Sequence, residues 1–168
     1  MLAFQNSVTQ KIAEFLTGIG ISIESSNLEG ETVLPGIRIA KGAILVDESK
    51  LTYPADILHE AGHLAVVAPV YRKDFDDNNV VSDEPASVVE VYAMAWSYAA
   101  ALQIGISISE LFHDGGYHGR SNELRMMYSM GVYLGVQGLV AAGMTITGDA
   151  AGKAGVAPYP AMIRWVRE

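Results

Sequence analysis

The chain has 168 residues, half of them hydrophobic and 18% charged, enough apolar material for one domain-sized core and too little charge for a disordered chain. Eleven Lys and Arg against 19 Asp and Glu give a formal net charge of -8, so nucleic acid and anionic membrane surfaces are not expected partners. With no cysteine, disulfide frameworks, thiolate zinc sites, iron–sulfur clusters and cysteine nucleophiles are excluded, which leaves four His and the carboxylates for metal or acid–base chemistry.

The opening run MLAFQNSVTQKIAEFLTGIG has no basic segment leading into an unbroken apolar stretch, so no cleaved secretory signal is expected and a cytoplasmic location follows by default. Phe4, Val8, Ile12, Phe15 and Leu16 recur with a helical period that Gly18 and Gly20 end. Apolar, β-branched runs at 21–23, 36–40 and 43–46 predict a small, mostly antiparallel sheet, with Lys41-Gly42 as a hairpin turn. A second helix is expected over 54–68, opened by Pro54, favoured by Asp56 in its first turn and closed by Pro69. Residues 71–83 form a long polar loop, a candidate flap. Ser82, Asp83 and Pro85 signal the start of a nearly all-apolar third helix that runs to Gln103 or Ile104, with Gly105 past its end. A Gly-rich turn at 113–120 precedes a fourth long helix over 122–142, and the tail is expected to finish with a short helical turn.

Two apolar segments, 88–108 and 131–148, approach the roughly 20 residues that span a bilayer. Glu90 interrupts one and Gln137 the other, and neither is flanked by Lys or Arg at both ends, so buried helices are expected rather than membrane spans. Gly131 and Gly135 leave room for a close backbone approach. The expected architecture is a single α+β domain over 1–168: a small sheet on one chemistry-bearing helix, with further apolar helices around it.

That helix carries His59-Glu60-Ala61-Gly62-His63. Residues four apart lie one turn apart on one face, so both imidazoles can converge on a single ion, as zinc ligands at about 2.0–2.1 Å. Glu60 is turned about 100° away by the helical period and reaches a water beside such an ion instead, as a general base. Four His and eleven Glu in 168 residues give about 0.006 chance matches to this pattern.

The third ligand lies elsewhere in the chain. The metzincin pattern requires Gly and His where Val66 and Pro69 stand, and deformylases use a cysteine that is absent. A Glu from the next helix completes the common His₂Glu set. Glu90, the one charged residue of SVVEVYAMAWSYAAAL, is preferred, with the small residues Ala86, Ala93 and Ser97 letting the two helices approach. Glu84 is the alternative ligand, and an ion pair of Glu90 with Arg120 or Arg125 is the alternative role for that carboxylate.

The other two histidines, His113 and His118, bracket Asp114-Gly115-Gly116-Tyr117. If this turn folds over the site, His113, Tyr117 or His118 can donate to the oxyanion formed in amide hydrolysis. Asp56, Asp114 and Asp149 are candidate partners for the outer nitrogens of the ligating imidazoles.

With His59, Glu60, His63 and Glu90, the chain resembles the gluzincin branch of zinc metallopeptidases, particularly short bacterial forms such as the ImmA/IrrE group. ILHEAGHLAVVAP and AWSYAAALQIGI also resemble segments of uncharacterised bacterial proteins. The resemblance covers residues 54–103 and implies a zincin-like fold, Zn2+ on His59, His63 and Glu90, Glu60 as general base, and an edge strand that holds an extended peptide. The Asn-Glu-x-x-Ser-Asp third-ligand motif and a second cleft-forming domain are both missing. The expected function is therefore a zinc-dependent peptidase with a narrow peptide or protein substrate, or one whose cleft is completed by a homo-oligomer or partner chain. The alternative is a metal-binding regulatory or interaction protein that keeps the site without catalysis.

Overall fold

The computed structural model describes residues 4–168; residues 1–3, included in the expected domain, lie outside the described residues. Helix α1 (Ser7–Gly18) starts where the Asn6 side chain accepts from the Val8 and Thr9 amides, and it buries Ile12, Ala13 and Leu16 on one face. Strands β1 (Ser22–Ser25), β2 (Ile37–Ala40) and β3 (Ala43–Val46) form one sheet in the order β1-β3-β2. Lys41 (φ 49°) and Gly42 (φ 73°) are both left-handed, as a two-residue hairpin turn requires. Alternation puts Ile37, Ile39, Ile44 and Val46 into the core.

The sheet is mixed rather than mostly antiparallel: β2 pairs antiparallel with β3, but β1 runs parallel to it. Residues 26–36 make the difference, since this irregular connection carries the chain past the sheet before the hairpin begins and lets β1 dock on the far edge of β3.

Helix α2 (Asp56–Val66) shares a hydrophobic core with the sheet and α1 through Ile57, Leu58, Ala61, Leu64 and Ala65. Pro69 does more than close it, because it opens a separate single turn, α3 (Pro69–Arg72), where its missing N–H costs nothing. Helix α4 (Ala86–Ile104) is buried on nearly all sides from Ala93 to Ala101 and ends at Gly105 (φ 70°). It packs directly on α2. A short helix α5 (Ile108–Leu111), not foreseen from the sequence, is fixed by a capping box between Ser107 and Glu110.

The single helix expected over 122–142 is two, α6 (Ser121–Ser129) and α7 (Val136–Ala141). Gly131 (φ 78°) and Gly135 (φ 84°) adopt the left-handed conformation that breaks it. A Cβ on Gly135 would sit 1.9 Å from the Val91 carbonyl oxygen of α4, so the glycine is what lets this segment reach that helix. The last helix, α8 (Gly148–Ala154), stands at the start of the tail rather than at its finish. Residues 155–168 then run without regular structure, and Trp165 packs edge-on against Phe15 and Trp96 while its carbonyl accepts from Trp96 Nε1 at 2.8 Å. Among the described residues no helix is long and apolar enough to cross a membrane.

Candidate metal centre

The approach of α4 to α2 is set by Gly62. A Cβ there would lie 2.7 Å from the Ala93 carbonyl oxygen, so only glycine allows the two backbones this close. One turn before Ala93, Glu90 thereby reaches the helix face that carries both histidines. Its Oε1 lies 3.0 Å from His59 Nε2, its Oε2 lies 3.2 Å from His63 Nε2, and the two imidazole nitrogens are 3.2 Å apart. Two ligands of a tetrahedral zinc at about 2.0–2.1 Å are separated by about 3.3 Å, so these spacings fit one ion with no change of helix position. The donor set, two imidazoles and a carboxylate, suits zinc and neighbouring first-row ions.

Arg120 pairs with Glu123 and Arg125 with Asp114, so neither takes Glu90. Burial alone would raise the Glu90 carboxyl, but hydrogen bonds and charge from His59 and His63 hold it well below the ordinary carboxylate range. Glu84 stands exposed before the helix.

Glu60 lines the same cleft, which has a volume of about 650 Å³. Burial pushes its carboxyl up to about 7, with Asp77, Glu90 and Asp56 adding to the rise and His63 opposing it. A group poised there exchanges protons near neutral pH.

The Gly-rich turn does fold over this face, but its residues divide. His113 is turned to the start of α2: its Nε2 meets Asp56 Oδ1 at 2.7 Å, which makes that nitrogen the donor to the carboxylate, and the ring lies stacked with its centroid 3.6 Å from that of Tyr53. His113 does not line the cleft, and its bond to Asp56 anchors the turn to the start of α2. Asp56 is thereby taken from His59 and His63, Asp114 is held by Arg125, and Asp149 sits in the first turn of α8. His59 Nδ1 is buried without a partner.

Tyr117 and His118 open a 3-10 turn (Tyr117–Gly119) and both line the cleft. Their φ values, 56° and 53°, are costly for residues with a side chain, and such strain concentrates at functional sites. Tyr117 meets His59 edge-on with ring centroids 5.9 Å apart, and its hydroxyl is buried with no hydrogen-bond partner. Burial, with Asp56 and Glu90 nearby, keeps the phenol protonated at all ordinary pH.

The cleft is also lined by Val33, Leu34, Phe75, Asp77 and Val80, none of which periodicity or motif singled out. Phe75 is buried from the 71–83 loop and stacks on His63. Asp77 donates its amide to the Ile39 carbonyl at 3.1 Å and accepts from the Ile39 amide at 3.0 Å. The outward backbone groups of β2 at Ile39 are thus already engaged, so this part of the expected peptide-binding edge is covered by the loop. A polar loop residue placed this way gives no local signal; the contact spans 38 residues of sequence.

The chain matches no protein-family model, no curated protein and no solved structure, and the geometry of the cleft alone bears on what it does.

Proposed function

We propose that this chain is a zinc-dependent hydrolase of peptide bonds, zincin-like in the way one helix carries two ligands and a base. The observation that carries the reading is the convergence of His59 Nε2, His63 Nε2 and both Glu90 oxygens, with Glu60 on the same cleft floor. A divalent ion there would act as a Lewis acid on a scissile carbonyl and on water. Glu60 takes the proton of the attacking water and delivers it to the leaving amine, a task suited to a carboxyl at about 7. Tyr117 Oη, protonated and unpartnered, donates to the carbonyl oxygen as it gains negative charge. His118 lines the same wall, where it can contact the substrate chain, and the His113–Asp56 pair holds the turn in place.

The test is elemental analysis beside turnover on a peptide library. We expect about one zinc per chain in the native protein, its loss in His59→Ala and Glu90→Ala, and its retention without turnover in Glu60→Gln. Full zinc content in both ligand variants overturns the centre; zinc with no cleavage of any peptide overturns the hydrolase. A second reading, a metal-bearing interaction protein without catalysis, is favoured by one observation: Asp77 already occupies the β2 edge at Ile39. A stoichiometric partner and an inert, zinc-loaded protein would bear it out.

A further inference from the structure

The charges of the cleft divide by sign. Asp56, Glu60, Asp77, Glu90 and Asp114 line it, and no Lys or Arg does, although the chain has eleven. Four of the five carboxylates are accounted for: Asp56 holds His113, Glu90 holds His59 and His63, Asp114 holds Arg125, and Glu60 is the proposed base. Asp77 is the exception. Its Oδ1 is spent on the Ile39 amide, and among the described residues no Lys, Arg or His nitrogen forms an ion pair with it. The nearby guanidinium of Arg38 is directed to the backbone oxygens of Glu29 and Glu31 instead.

The carboxylate is also held in place. Two hydrogen bonds tie the residue to Ile39 like a rung of the sheet, and the Asp76–Asn79 bridge closes the turn behind it. It is half-buried, and burial raises its carboxyl, with Asp76 adding to the rise and the Ile39 amide, Arg38 and His63 opposing. Val33 and Val80, 77% and 52% exposed, share the wall with it and offer apolar surface to an aliphatic stem.

We propose that the cleft selects extended peptides bearing an amine or guanidinium, that Asp77 reads this positive charge, and that acidic segments are disfavoured. A fixed carboxylate with no ion-pair partner, in a cleft lined by no Lys or Arg, attracts a substrate cation and repels an anion on its own side of the cleft. The inference rests on the peptide-cleft reading, but it concerns binding and not turnover.

The positive charge can belong to a side chain or to a free amino terminus, and four peptides with one shared apolar frame separate these sources. One carries Lys between blocked ends, one a free amino terminus without Lys, one is neutral and blocked, and one carries Glu between blocked ends. Binding to the purified protein is measured by calorimetry, with cleavage followed in the same samples by mass spectrometry. We expect one of the two cationic peptides to bind about three- to tenfold tighter than the neutral one, the Glu peptide to bind more weakly, and the spread to shrink at high salt. Asp77→Asn keeps an acceptor for the Ile39 amide while removing the charge, and should abolish the spread. Equal affinities, no binding by any peptide, or an undiminished preference in Asp77→Asn overturn the inference. The salt dependence of the native protein decides the matter if that variant does not fold. Charge-selective binding without cleavage leaves the inference standing and refutes the hydrolase, whereas cleavage indifferent to charge does the reverse.

Discussion

Glu60→Gln should stabilise the metal-free protein, and by an amount set by pH. Unfolded, Glu60 releases its proton near its ordinary value of 4.5; folded, burial delays that release to about 7. Between the two the folded state binds more protons, so stability falls as pH rises, and the loss is complete above 7. The rise from 4.5 to about 7 corresponds to about 3 kcal/mol. Glutamine fills the same space with nothing to ionise, so the variant should escape this loss. Urea unfolding of both proteins in excess chelator should give similar stabilities at about pH 4 and a variant more stable by about 2–3 kcal/mol at about pH 8. A gap of the same size at both pH values would refute the reasoning, because it would trace to packing rather than to a desolvated carboxyl.

Two further substitutions probe the scaffold. Gly62→Ala places a methyl 2.7 Å from the Ala93 carbonyl oxygen, and overpacking of this kind costs about 1–3 kcal/mol; chemical denaturation should register it, and zinc titration should show weakened affinity because Glu90 moves away with α4. His113→Ala leaves the Asp56 carboxylate buried without its hydrogen-bond donor, a change that typically costs about 1–3 kcal/mol. In that variant the Tyr53 fluorescence environment should change and turnover should fall, while zinc content stays near that of the native protein.

What could be read from the sequence was local chemistry with a period. His59, Glu60 and His63 sit on a helix bounded by prolines, and Glu90 stands alone among apolar neighbours, so both halves of the centre are visible without coordinates. The Lys41-Gly42 hairpin and the Gly105 stop are legible for the same reason, since backbone conformation there depends on one or two residues. The parallel pairing of β1 with β3 is not, because an irregular connection leaves no pattern that fixes which strand edge is joined. The break between α6 and α7 hides behind an apolar run that continues across Gly131 and Gly135. His113 and Asp56, 57 residues apart, each look like a free polar group until the fold brings them together. Asp77 is the clearest case: its meaning comes entirely from the strand it touches.

The segment around Trp165 and Arg167 gives the centre a place in time as well as in space. The Arg167 amide bonds the Ala65 carbonyl two residues beyond His63, its guanidinium grips Asp83 just ahead of α4, and its own carbonyl accepts from Arg72. During synthesis the chain emerges from the ribosome in order, so α2 and α4 are exposed well before these clamps exist. Until residues 165–167 are free, the two helices of the candidate centre can meet but lack these fastenings. The spacing of His59, His63 and Glu90 is thus fastened by residues that are made later than either helix that carries them.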